Sequence, residues 1–395
     1  MRIGFDVSQT GADKAGCGFL AANLVRQLPA LMPADEFLLY PTFGDLYWDE
    51  RWPSDTAFPE CHNVRRGFHH ADFEAARDFW RSPPADLDRL LGDPDIVHSN
   101  NFFCPSGLRR ARFVYTLYDL NFLENPEWTT EANRIGCFQG VFNASVKADF
   151  IIAISDFSRR HFLGCFPHYP VERTAVVHLA SRFDDDSTDA PAAEVPERLA
   201  RLVSAGFWLT VGTIEPRKNY NGLLDAYARL KALDGAVPPL VIAGKSGWMM
   251  QHFEERLAEL GLADDVLRLG YVSETELRWL YRNCFAFVYP SFWEGFGLPV
   301  VEAMSQGAPV ISSNVSSIPE ILDDAGLLID PHDNEALLRA MRHLAGSSAL
   351  RRELGARARA RAARFSWQAA ARRVAEIYRE TLARPRYAES PAQPA

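Results

Sequence analysis

No apolar run in the sequence approaches the roughly 20 residues that a membrane-spanning helix needs, which leaves a soluble chain or one attached only at a membrane surface. Cysteine is sparse. The six residues Cys17, Cys61, Cys104, Cys137, Cys165 and Cys284 are scattered and form no C-x-x-C pair. That argues against a disulfide framework or a zinc site and for reduced, mostly buried thiols in a cytosolic protein. There is no excess of positive charge: 42 Lys and Arg stand against 51 Asp and Glu, a net charge of −9. Nucleic acid is therefore not expected as the main partner. Two common phosphate motifs are also missing. Gly11…Gly16-Cys17-Gly18 does not have the G-x-G-x-x-G spacing. In Gly244-Lys245-Ser246 the first glycine of a Walker loop would fall on Pro239. The opening stretch MRIGFDVSQTG reads as a strand and not as a signal peptide.

What is present is a long alternation of short apolar strands and amphipathic helices. A length of 395 residues with 47% hydrophobic content suggests two or three domains with large cores. Ile3 to Val7 is a strand, followed by a glycine-punctuated loop and a helix from Phe19 to Leu31. Residues 41–75 are aromatic, proline-broken and irregular. Further strands end in His98-Ser99-Asn100-Asn101 and in Tyr118-Asp119. Ligands of open α/β sheets bind beyond the strands' carboxyl ends, which makes His98 and Asp119 cleft candidates, although a strand-end histidine serves as often as a satisfied structural group. Ser155 and Ser273 are placed to cap helices, the second with Glu276 in a capping box. SRFDDDSTDAPAAEVPERLA has the composition of a linker. Its run Asp184-Asp185-Asp186 has no strand before it and reads as a solvated hinge, not a metal site. The reading is an α/β chain: an N-terminal domain over 1–180, a linker over 181–205, a second domain over 206–364, a returning helix over 365–384 and a disordered tail over 385–395.

One stretch carries the chemistry: Tyr289-Pro290-Ser291-Phe292-Trp293-Glu294-Gly295-Phe296-Gly297-Leu298-Pro299, running on to Glu302. The buried strand Phe285–Tyr289 leads into a glycine loop, and Pro299 suits the first turn of a helix. The amides of Gly297 and Leu298 would stand at that helix's positive end, an anion site. Upstream, Gly212-Thr213-Ile214-Glu215-Pro216-Arg217-Lys218-Asn219 sets two adjacent cations on a strand-to-helix loop, as a diphosphate clamp would.

The Glu-x7-Glu spacing of Glu294 and Glu302, inside EGFGLPVVEAM, closely resembles the signature of the retaining glycosyltransferases of family 4, among them mannosyltransferase-like enzymes of bacterial glycan assembly. The resemblance implies a GT-B fold, two Rossmann-like domains with a C-terminal helix crossing back to the N-terminal one. It implies that VGTIEPRKN is the donor-phosphate loop, with Lys218 in the place of the family's lysine and Thr213 where another cation is common; Arg217 is the candidate replacement. It makes Glu294 the holder of the sugar's hydroxyls, with Phe296, Gly297 and Leu298 beside it, and Glu302 the holder of the ribose. Tyr271 and Val272 fall where the family cups the nucleotide base. Gly16 and Gly18 fall in a loop that in the family faces the cleft from the N-terminal domain. Tyr118 replaces a family histidine near the transferred sugar and would put a hydroxyl there.

The implied reaction moves a hexose from a nucleotide diphosphate sugar, often GDP-mannose in similar enzymes, to a hydroxyl of a glycan or lipid-linked glycan. Glu294, Lys218 and Arg217 are the catalytic candidates. No cofactor and no metal are implied, and the expected setting is the cytoplasm, with at most a peripheral contact at the membrane. Two alternatives stay open: a phosphorylase or epimerase of the same fold, and a sugar-nucleotide binder inactive through Tyr118.

Overall fold

In a computed structural model the described residues are 1–11, 14, 16–45, 56–70, 72–183, 196–202, 206–245, 247 and 250–387. The chain divides into two compact units, Met1–Leu179 with Trp367–Ala395, and Ala180–Ser366. The acidic run Asp184–Asp186 and the last eight residues lie outside the described residues.

The first unit is built on β1 (Arg2–Asp6), β2 (Glu36–Tyr40), β3 (Val64–Arg66), β4 (Ile96–Ser99), β5 (Arg112–Leu117), β6 (Phe150–Ala153) and β7 (Thr174–Val176). All pair in parallel, in the order β3-β2-β1-β4-β5-β6-β7. Parallel strands covered on both faces should be apolar throughout, and β4 and β6 are buried along their whole length. Between the strands run α1 (Gly16–Leu31), α2 (Phe73–Arg81), α3 (Glu131–Lys147) and α4 (Asp156–Cys165). Ser155 caps α4, its hydroxyl accepting from the Ser158 amide at 3.0 Å.

The second unit repeats the pattern with β8 (Trp208–Val211), β9 (Leu240–Ala243), β10 (Val266–Gly270), β11 (Ala286–Tyr289), β12 (Val310–Ser313) and β13 (Leu327–Ile329). Their parallel order is β10-β9-β8-β11-β12-β13. Its helices include α5 (Tyr220–Asp234), α6 (Glu274–Asn283), α7 (Leu298–Ser305), α8 (Asn334–Gly346) and α9 (Ser348–Ala362). Ser273 and Glu276 close the capping box of α6. In both sheets the order in which the strands are laid down reverses at one place, between β1 and β4 and between β8 and β11. A crevice beyond the strands' carboxyl ends opens at such a point.

Several expectations fail locally. Residues 41–75 are not wholly irregular: they contain β3 and the start of α2. The described ends of the linker are partly packed. Leu199 and Leu202 are buried, and Ser181 and Phe183 are buried against their own unit. The tail does not fray from residue 385. The Pro385 carbonyl accepts from Arg173, and the Tyr387 amide donates to Asp149 at 2.8 Å.

His98 is the largest correction in this unit. It is fully buried, with Nδ1 2.7 Å from the Tyr378 hydroxyl on the C-terminal helix (Trp367–Ala383) and Nε2 2.9 Å from Thr116 Oγ1. Thr116 in turn lies 3.2 Å from Asn100 Oδ1, an acceptor when that amide is so oriented. The chain of donors then runs Tyr378 to His98 to Thr116 to Asn100, with the proton on His98 Nε2. His98 is thus a packing group that pins the C-terminal helix, and burial pushes its pKa down to about 3. The unfolded chain binds a proton near 6.5 and the folded one near 3, so this histidine stabilises above pH 6.5 and that stabilisation is lost as pH falls towards 3. Tyr378→Phe should leave Nδ1 buried without its donor and cost about 1–3 kcal/mol. Thermal unfolding at neutral pH checks this, and an unchanged melting temperature would remove His98 from the pinning role.

Candidate functional site

The reversal point of the second sheet gathers the side chains that the sequence singles out there. Arg217 and Lys218 follow β8, and Glu294 follows β11. Lys218 Nζ lies 2.6 Å from Glu294 Oε1, and Arg217 Nη1 lies 3.1 Å from Oε2. Arg217 Nε reaches Glu215 at 2.7 Å. Ser291 donates to Glu294 Oε1 at 2.6 Å, and Lys218 also touches the Tyr289 hydroxyl. The backbones are joined as well, since the Phe292 amide donates to the Arg217 carbonyl at 2.8 Å. Glu294 and Lys218 are buried. Burial is the largest influence on Glu294 and would raise its pKa, but Lys218 and Arg217 outweigh it and hold the carboxyl at about 2. Burial, and next the Arg217 charge, push the Lys218 ammonium down. The two cations therefore do not point into empty space: Glu294 holds both, and Glu215 pairs with Arg217 as well.

The loop after Glu294 ends where the sequence suggests. Gly297 has φ +96°, and an added Cβ would lie 2.7 Å from Ile318 Cδ1, so the turn into α7 requires glycine. Gly297 has no side chain to cap α7, whose first residue is Leu298, and this leaves the helix's positive end open to an anion. Phe296 is buried and meets the Phe365 ring edge-on at 6.0 Å. Thr213 is half-buried in the loop after β8.

Glu302 stands apart from this cluster. It is 1% exposed, and Arg182 Nε lies 2.6 Å from Oε1 while the Tyr281 hydroxyl donates to Oε2 at 3.2 Å. Burial raises its pKa against the pull of Arg182. Ser181 and Ser305 hold the same contact, 2.8 Å apart. Arg182 went unnoticed in the sequence because it is a lone cation ahead of an acidic run. Ser291, three residues before Glu294, could have been found from its place in the loop. Tyr271 is 66% exposed just past β10, with Lys245 Nζ 5.7 Å from its ring centre, and Val272 is half-buried beside it.

In the first unit the predicted residues serve their own loops. Gly16 opens α1, and Gly18 packs so closely that a Cβ would lie 2.0 Å from the Gln9 carbonyl. The Tyr118 hydroxyl is not offered to a sugar: it donates to the Asn100 carbonyl at 2.7 Å and the ring is buried. Asp119 accepts from the Asn121 amide at 3.0 Å. Beside them Asp6 accepts from Ser8 and Asn100, and burial lifts its pKa to about 6. Among the described residues no helix is long and apolar enough to cross a membrane.

Comparison with known proteins shows the family and the fold. The family "Glycosyl transferases group 1" matches residues 197–361. O-antigen chain mannosyltransferase B of Escherichia coli is 38% identical over 276 residues, 69% of this chain and 71% of that one. Serotype-specific mannosyltransferase WbdA of Escherichia coli is 38% identical over 292 residues, but this chain spans only 35% of its length. Among solved structures, Anabaena HepE in complex with UDP-glucose superposes with a TM-score of 0.71 at 19% identity, covering 96% of this chain and 100% of that one. WaaG, a glycosyltransferase involved in lipopolysaccharide biosynthesis, gives 0.70 at 17%, covering 96% and 99%. The fold is GT-B. The chain belongs to the group 1 glycosyl transferases.

Proposed function

We propose that this glycosyltransferase moves a hexose, a mannose in the first instance, from a nucleoside diphosphate sugar to a hydroxyl of a glycan or lipid-linked glycan, retaining the anomeric configuration. The observation that carries the reading is the buried cluster of Lys218, Arg217 and Glu294 at the reversal point of the second sheet, next to the open end of α7. Relatives named as mannosyltransferases support the hexose, and the nucleotide sugar held by HepE supports the donor class.

In this reading the diphosphate lies against the α7 end, Lys218 and Arg217. The acceptor oxygen bonds to the sugar's anomeric carbon as the bond from that carbon to the leaving phosphate breaks. The acceptor's proton passes to the leaving phosphate on the same face. The protein supplies no nucleophile; it supplies positive charge already fixed in place, which is where such sites gain most of their rate. Glu294 keeps the two cations together and takes hydrogen bonds from the sugar's hydroxyls. Tyr271 stacks on the base. Glu302 receives the ribose once Arg182 moves aside. The reading calls on no metal, since the cations and the helix end carry the charge.

Charge-assisted contacts to phosphate are worth about 1.5–3 kcal/mol each. Lys218→Ala and Arg217→Ala should accordingly each weaken nucleoside diphosphate binding roughly tenfold to a hundredfold. Calorimetric titration checks this, and unchanged affinity in both variants would remove the clamp. Product anomers read by NMR test retention. Donor binding without turnover across a panel of acceptors would make the chain a binder instead.

The two glutamates should separate kinetically. Contacts made only in the transition state appear in kcat, while uniform binding appears in KM. Glu302→Gln should raise the donor's KM and weaken free nucleoside diphosphate as well. Glu294→Gln should lower kcat more than it weakens free nucleoside diphosphate, which carries no sugar. Arg182→Ala should tighten nucleoside diphosphate binding by removing the ribose's competitor. Weaker binding in that variant would mean that Arg182 only holds Glu302 in place.

A further inference from the structure

We propose that the trough between α9 and the amino ends of β11 and β12 is a docking site for the phosphate headgroup of an anionic membrane lipid. The trough has a volume of about 800 Å³ and is rimmed by Arg351, Arg352 and Arg359. The other side of α9 shows what paired arginines look like here: Arg357 meets Glu353 at 2.8 Å, and Arg361 meets Asp323 at 3.4 Å. On the trough side, none of Arg351, Arg352 and Arg359, nor Arg282 behind them, is ion-paired to a carboxylate among the described residues. Arg351 lies over the Phe285 ring at 3.9 Å, and Arg359 donates to the Gln306 carbonyl at 3.0 Å. Arg282 donates to Gln306 Oε1 at 2.8 Å. These partners orient the guanidinium groups without neutralising them. Burial, Arg278 and Arg359 push the Arg282 guanidinium down, and burial and Arg352 do the same to Arg351. An anion among these groups would relieve their mutual repulsion.

The floor of the trough decides which anion. Phe285, Pro309, Gly355, Ala356 and Ala360 offer almost no polar side chain. Free phosphate gains nothing from such a floor, whereas the glycerol and first acyl carbons of a lipid cover it. With a net charge of −9 the chain as a whole is repelled by an anionic surface, so attraction has to be local. The trough lies at the amino ends of β11 and β12, while Glu294 follows the carboxyl end of β11, so a docked bilayer leaves that end of the second unit uncovered.

Co-sedimentation with vesicles of phosphatidylcholine, with and without phosphatidylglycerol, tests the site using the full chain. The wild type should bind only the phosphatidylglycerol vesicles. Arg352→Glu, at an exposed position, should reduce that binding roughly tenfold or more, and Arg359→Gln roughly fivefold. Arg357→Glu makes the same change in net charge on the paired side of α9 and should stay within about twofold of wild type, since bulk charge contributes little against a localised patch. Equal loss in Arg357→Glu would overturn the proposal, as would equal binding to neutral vesicles. Stabilisation by inorganic phosphate that Arg352→Glu abolishes, with no vesicle binding, would also overturn it in favour of a soluble-anion site.

Discussion

Everything in the second unit's crevice depends on one buried carboxylate. Two adjacent cations taken out of water repel each other, and each gives up hydration that a protein interior does not return. Glu294 makes the pair tolerable by binding Lys218 and Arg217 at once, with Ser291 filling a further lone pair. The contact also joins the loop after β8 to the loop after β11, which are neighbours in the sheet although more than 70 residues apart in sequence. The positions of Gly297 and the α7 end follow from that join, because the chain leaves Glu294 directly into them.

The same economy explains what could be read from the sequence and what could not. The strands beneath the site were legible because a strand buried on both faces is apolar at every position, as Phe285 to Tyr289 is. The helix starts at Ser155 and Ser273 were legible because capping is a local interaction. The grouping of Lys218, Arg217 and Glu294 was legible only in part. Their types and loop positions suggested a shared crevice, but the loops' mutual pairing is a long-range contact with no local pattern. His98 was misplaced for the same reason. Strand position put it at a carboxyl end, and nothing local says that Tyr378, 280 residues later, closes over it.

Arg182 makes the point in the other direction. Composition placed it in a solvated hinge, yet it is the partner of Glu302 and lies against the inner side of α7. A buried glutamate must find a cation or be protonated, so Glu302 itself implied an undiscovered partner. That requirement is a sequence-level clue: an acid inside a short helix that is apolar on all sides, among Val300, Val301, Ala303 and Met304, asks for a cation from elsewhere in the chain. What the sequence withholds is which cation answers.

The two glutamates thus both have cationic partners within the chain, and the partners differ in kind. Glu294 is held by groups of the crevice's own loops, Lys218 and Arg217 after β8 and Ser291 after β11. Glu302 is held by a residue from the segment that enters the second unit, outside the sheet and its loops. The same segment contacts the unit twice more, through Ser181 on Ser305 and Phe183 on Tyr281. Occupation of the first acid is a matter of local charge balance. The partner of the second is bound to the path of the backbone into the unit, so the burial of Glu302 and the placement of residues 181–183 depend on each other.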